Sequence, residues 1–162
     1  MAKLTTLEEK LAEVTGLAKA AQEATQKVEG LVEDEQLQGQ LQRMREEAEE
    51  TERRCIRLAE GRDGKKTAIL EKAQETKNEA AEMMSIYLGS DADDLDGFEF
   101  LTMAEAGEVG HWEILGKLNE RAGLQDVREL VQWALPIQER HLREARECSL
   151  QLAAEEDPNE PE

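Results

Sequence analysis

Residues 98–122 read FEFLTMAEAGEVGHWEILGKLNERA. Steps of three and four along this stretch select Phe98, Leu101, Glu105, Glu108, Trp112 and Leu115, the positions that share one face of a helix. The same spacing over 127–152 selects Val127, Val131, Ala134, Gln138, His141, Ala145, Cys148 and Leu152. Gly123 is a good residue to end the first helix and turn the chain into the second. Two carboxylates on one stripe, and an amide with an imidazole on the other, then point into a helical interior. Buried carboxylates are rare unless they are paired, protonated or bound to metal. Inward carboxylates and imidazoles on facing helices are also how helical bundles hold metal centres.

The rest of the chain reads as further helix. Thr5 or Thr6, followed by Glu8 and Glu9, marks a capped start. The first helix runs to about Val28 on the stripe Leu7, Leu11, Val14, Ala18, Ala21, Thr25 and Val28. Gly30–Asp34 is a turn. The second helix, about Glu35–Glu60, carries Leu37, Leu41, Met44, Ala48, Thr51, Cys55 and Leu58. Gly61–Gly64 breaks it, and a third helical piece over Lys65–Leu88 places Ile69, Ala73, Ala80, Met84 and Tyr87 inward. Gly89–Gly97 reads as a loop, with the next helix starting at Gly97. The last helix runs from Leu124 to Ala154 and contains Pro136, which predicts a kink or bulge one turn before His141. The expected organisation is an all-α domain over 1–154, two antiparallel hairpins joined by a crossover helix, with an acidic disordered tail over 155–162.

Composition bounds the partners. The 162 residues include 38 acidic and 20 basic side chains, a net charge of −18, and only five aromatics. Such a field repels phosphate, so neither nucleic acid nor an anionic membrane surface is an expected partner. No apolar run spans a bilayer and no signal-peptide core opens the chain, which leaves a cytoplasmic location by elimination. Cys55 and Cys148 belong to no short motif and read as free thiols. The glycine–lysine stretch 61–66 lacks the spacing of a phosphate-binding loop.

Antiparallel hairpins place residues equidistant from the turn at one height. Reflection about the turn near Val32 sets Glu13 opposite Glu52. Reflection about Gly123 sets Glu108 opposite Glu139, next to Gln138. Each second helix then offers polar groups three residues apart at that level, Glu52 and Cys55 on one, Gln138 and His141 on the other.

This layout resembles the ferritin-like superfamily, and in particular the YciE/YciF-type ferritin-like stress proteins. The residues that carry the likeness are Glu49-Glu50-Thr51-Glu52 ahead of Ile56-Arg57-Leu58, the connection Gly61–Lys66, Glu105-Ala106-Gly107-Glu108, and the cluster from Gln138 to His141. The resemblance implies a ferritin-like four-helix bundle with an additional crossover helix, a habit of homodimerisation, and a centre of iron or manganese reacting with dioxygen or peroxide in stress protection. Carried over residue by residue, it makes Glu13 and Glu108 the single carboxylates, Glu52 the second-helix carboxylate and His141 the imidazole. The chain departs from the pattern at Cys55, where histidine is wanted, and at Gln138, where glutamate is wanted. The centre is therefore either dinuclear with a modified ligand set, drawing on Gln138, Glu105, Glu139 or His111, or reduced to one metal or none. The competing reading is a metal-free helical scaffold or interaction protein whose inward polar groups fix helix register.

The bland assignments are equally specific. Cys55 reads as a small buried hydrophobe, His111 as an edge partner of Trp112, and Glu46–Glu50 as a solvated run.

Overall fold

The computed structural model describes residues 2–161; Met1 and Glu162, the outer ends of the expected domain and tail, lie outside the described residues. Five α-helices account for the order: α1 (Thr6–Glu29), α2 (Glu35–Glu60), α3 (Lys66–Tyr87), α4 (Asp94–Ala122) and α5 (Gln125–Glu155). No strand occurs among the described residues. None of these helices is long and apolar enough to cross a membrane.

Local chemistry sets the ends. Thr5 caps α1 in a reciprocal box with Glu8, and Asp34 caps α2 through the amides of Gln36 and Leu37. Asp93 caps α4 in a second box with Asp96, so α4 starts at Asp94 and the expected loop loses its last residues to the helix. An aspartate three residues before another supplied this start, and acid in the first turn suits the helix dipole. Gly123 ends α4 at φ +65°, a left-handed conformation in which glycine carries no steric cost. α5 runs unbroken through Pro136, without the expected bulge. Proline frees only the Gln132 carbonyl, and Gln132 and Pro136 are both exposed, so water can satisfy it. Residues 156–161 follow α5 as an exposed segment.

α4 lies along α5 and α1 along α2, with α1 also touching α4 and α2 also touching α5; α3 packs chiefly on α1. The stripes read from the sequence on α1, α2 and α4 are buried throughout. On α5 all are buried except Val131, which is half-buried, while Leu130 beside it is buried. α3 departs most: Ile69 and Ala73 are buried, Ala80 and Met84 are half-buried, and Tyr87 is exposed, its ring tilted beside that of Phe100. A helix held on one side by one neighbour has only a narrow stripe to bury.

Two apolar clusters fill the interior. One gathers Leu7, Leu11, Val14, Cys55, Ile69, Trp112, Leu115 and Val127; the other gathers Val28, Leu41, Met44, Phe98, Leu101, Ala145 and Leu152. Along α4 and α5 the residues separating them are Glu105, Glu108, Gln138 and His141, all buried. The corresponding stretches of α1 and α2 bury Ala18, Ala21, Ala48 and Thr51. A polar layer thus divides the core, and α1 and α2 meet it with small side chains.

Candidate functional site

The second reflection holds to within one residue, with Gln138 rather than Glu139 facing Glu108. His141 Nδ1 lies 3.8 Å from Glu105 Oε2, and the Gln138 amide reaches both carboxyls of α4. The two pairs Glu108–Gln138 and Glu105–His141 are each centred on Gly123, as a tight helix-ending turn requires.

The first reflection fails. Glu52 accepts a hydrogen bond from Gln22 Nε2 at 3.0 Å, and Glu29 pairs with Arg45 at 2.7 Å. Both pairs centre on Leu37 rather than Val32, because the connection 30–34 carries α2 to a start well beyond the end of α1. Glu13 consequently sits far from Glu52, paired with Lys10 at 3.0 Å and facing His111 Nε2 at 3.5 Å. Of the six residues expected to act together, Glu105, Glu108, Gln138 and His141 come together, while Glu13 and Glu52 occupy two separate half-buried surface positions. Glu139 is exposed. His111 Nδ1 shares a 2.8 Å hydrogen bond with the Gly107 carbonyl, within its own helix. Among the described residues no three His, Cys, Asp or Glu side chains converge as a metal ion would need.

Glu47, read as part of a solvated run, belongs to the site. His141 Nε2 lies 3.1 Å from Glu47 Oε1, and Arg140 grips the same carboxylate through two N–H groups. The signal was present: Glu47 stands three residues after Met44 and four before Thr51, inside the spacing of the buried stripe. Its position in a row of glutamates hid it.

Charge states follow from the contacts. Burial alone would raise the Glu47 carboxyl, yet hydrogen bonds from Arg140 and His141 bring it below the usual carboxylate range. Burial pushes the His141 imidazole below its ordinary value, and Glu47 offsets this only in part. A neutral ring facing a carboxylate at Nε2 must carry its proton there, which leaves the Nδ1 lone pair directed at Glu105. Burial pushes the Glu105 carboxyl up to about 8. Glu108 is raised as well, first by burial and then by the charge of Glu105. Among the described residues no Lys or Arg forms an ion pair with either acid.

The amide of Gln138 has two settings related by an end-for-end rotation. In one, its NH2 donates to Glu105 Oε2 at 2.8 Å and to Glu108 Oε2 at 3.2 Å. In the other, its oxygen occupies that point and three oxygens converge at the same separations. Such oxygens repel unless protons or a cation lie among them. For bonds of ~2.1 Å the edge of an octahedral site is about 3.0 Å, and the observed separations bracket that value.

Cys55 lies in the apolar cluster and Cys148 near Gln40, both buried and unpaired. Burial pushes their thiols up to about 12 and about 11. Both are therefore expected to stay unalkylated by iodoacetamide at pH 8 in the folded protein and to react on unfolding, a difference read by intact mass.

No family model, no curated protein and no solved structure matches this chain.

Proposed function

We propose that the protein binds one divalent metal ion, iron(II) or manganese(II), in the polar layer of a ferritin-like bundle, held by Glu105, Glu108, Gln138 and His141. The observation that carries this reading is the meeting of two buried carboxyls with the Gln138 amide, with no Lys or Arg ion pair among the described residues to balance them. Hard oxygen donors with one imidazole suit iron(II) or manganese(II) better than softer ions. Glu47 behind His141 supplies the outer carboxylate that orients a ligating imidazole and raises its basicity. Bound iron would supply the redox chemistry with dioxygen or peroxide that the resemblance implies. The chain's own part is to exclude bulk water, fix the imidazole and hold protons on the acids when no ion is bound.

The test is metal content by elemental mass spectrometry after anaerobic loading with iron(II) and with manganese(II). One ion per chain is expected, lost in Glu108→Ala and His141→Ala and retained in Glu13→Ala and Glu52→Ala. Two ions per chain that depend on Glu13 and Glu52 would restore a dinuclear centre and overturn the single-ion reading. No ion in the wild type would overturn metal binding altogether.

A second reading is favoured by the rotated setting of Gln138. There the amide joins both acids without any cation, and the layer serves to fix helix register in a scaffold. It expects Glu108→Leu and His141→Leu to leave thermal stability equal or higher, and metal addition to change nothing.

A further inference from the structure

The polar layer is not sealed on the side of α3. A pocket of about 220 Å³ opens there, between α1, α3 and α4. Its walls are Ala20, Ala24, Ala80, Met84 and Met103 with their neighbours, almost wholly hydrocarbon, and its inner end includes Glu105 and Glu108. The space exists because α3 packs on α1 and barely touches α4, and because the residues lining the gap on α1 and α3 are mostly alanines.

We infer that this pocket binds an uncharged, mainly hydrocarbon molecule of about nine non-hydrogen atoms, with one hydroxyl-like end directed at Glu105 and Glu108. Size sets the scale: an apolar cavity of roughly 150 Å³ holds benzene, so this one takes about half as much again. The walls set the body, since a charged chain would lose its hydration against alanine and methionine with nothing in return. The polar groups set the head. Glu23 repels an anion, the protonated Glu105 and Glu108 offer it no positive charge, and His111, the one basic side chain at the rim among the described residues, is already engaged by Gly107 and Glu13. Three methionines line the gap, Met83, Met84 and Met103, and unbranched thioethers adapt to ligands of varied shape. A partner's helix, ~10 Å across, is too wide for this space. The inference does not rest on metal binding, although a ligand here would sit beside any ion held by the same acids.

Methyl-labelled methionine makes the test direct. Met83, Met84 and Met103 line the pocket, whereas Met44 is buried in the Phe98 cluster and serves as the internal control. Octanol titrated into the metal-free protein should shift the three pocket methyl signals in NMR spectra and leave Met44 in place. Gly107→Leu and Ala104→Leu, which fill the space without replacing any of the four polar-layer residues, should each weaken octanol binding at least tenfold. Octanoate and octylammonium should bind more weakly than octanol. No shift at the pocket methionines, equal shifts at Met44, or undiminished binding in both filled variants would overturn the proposal. Tighter binding of octylammonium would overturn the uncharged head. A self-associated wild type, shown by sedimentation, that gains octanol binding only on dissociation would assign the pocket to side chains of a second copy instead. Failure to bind metal leaves every one of these outcomes readable.

Discussion

Replacing Glu105 by glutamine is expected to stabilise the metal-free protein at pH 8 by several kcal/mol while leaving it unchanged at pH 4. Glu105 is about 1% exposed, its one nearby basic group is the neutral ring of His141, and burial raises its carboxyl from 4.5 to about 8. The folded state therefore keeps a proton that the unfolded chain gives up. Stability from this group is fully present below about pH 4.5, declines as the unfolded chain ionises, and is lost once pH passes about 8. The slope approaches 1.4 kcal/mol per pH unit over that window, so the accumulated loss is on the order of 5 kcal/mol before any relaxation. Glutamine keeps the shape and hydrogen-bonding capacity of the protonated acid and has nothing to ionise. Urea denaturation of wild type and Glu105→Gln at pH 4, 6 and 8 reads this term together with the relief of Glu108, which the Glu105 charge raises, while the carboxylates held below the usual range, such as Glu47 and Glu29, contribute equally to both. A variant less stable than wild type at pH 8 would show that the ionised carboxylate is satisfied in the folded state.

The same residue reports on the proposed metal with the opposite sign. A cation among Glu105, Glu108 and Gln138 favours the ionised acids, so loaded wild type should gain stability as pH rises where metal-free protein loses it. The Glu105→Gln variant should lose most of that gain. A site whose pH dependence reverses on adding metal is hard to reconcile with a scaffold that merely fixes register.

The polar layer was legible in the sequence because helical spacing is a strong signal over a long helix. Glu105, Glu108, Gln138 and His141 fall on stripes whose other members are large and apolar, and the tight turn at Gly123 made the height of each residue computable. The first hairpin was opaque for the opposite reason. Its connection, 30–34, neither ends a helix in a left-handed glycine nor holds the two helix ends level, so the same reflection misplaced Glu13 against Glu52. Glu47 was hidden by composition, since one half-buried glutamate among Glu46, Glu49 and Glu50 has no distinguishing mark until Arg140 and His141 are seen to face it. The pocket could not be read at all. It depends on how far α3 stands from α4, and a row of alanines looks the same whether it lines a gap or packs against a neighbour.

That standing distance has its own test. Gly16 lies where α1 crosses α3: a methyl group placed on it would overlap the Ala73 carbonyl oxygen and come 2.8 Å from Thr76 Cβ and 3.1 Å from the Lys77 nitrogen. Two of these neighbours are helix backbone, which cannot swing aside as a side chain can. Gly16→Ala is therefore expected to destabilise the protein by about 3 kcal/mol, overpacking outweighing the roughly 1 kcal/mol that alanine contributes inside a helix. Gly39→Ala makes the matched control. Gly39 is an exposed position inside α2 with nothing within 4 Å of an added Cβ, so the same substitution there should stabilise by up to about 1 kcal/mol. Opposite signs in urea denaturation would establish that α3 is seated on the bare backbone of α1. The consequence reaches the pocket, whose walls are set by that seat. If α3 gives way to accommodate the methyl group, Gly16→Ala should also weaken octanol binding, and the signals of Met83 and Met84 on α3 should move before any ligand is added. Two stabilising results would instead place α3 farther from α1, and the wall of the pocket with it.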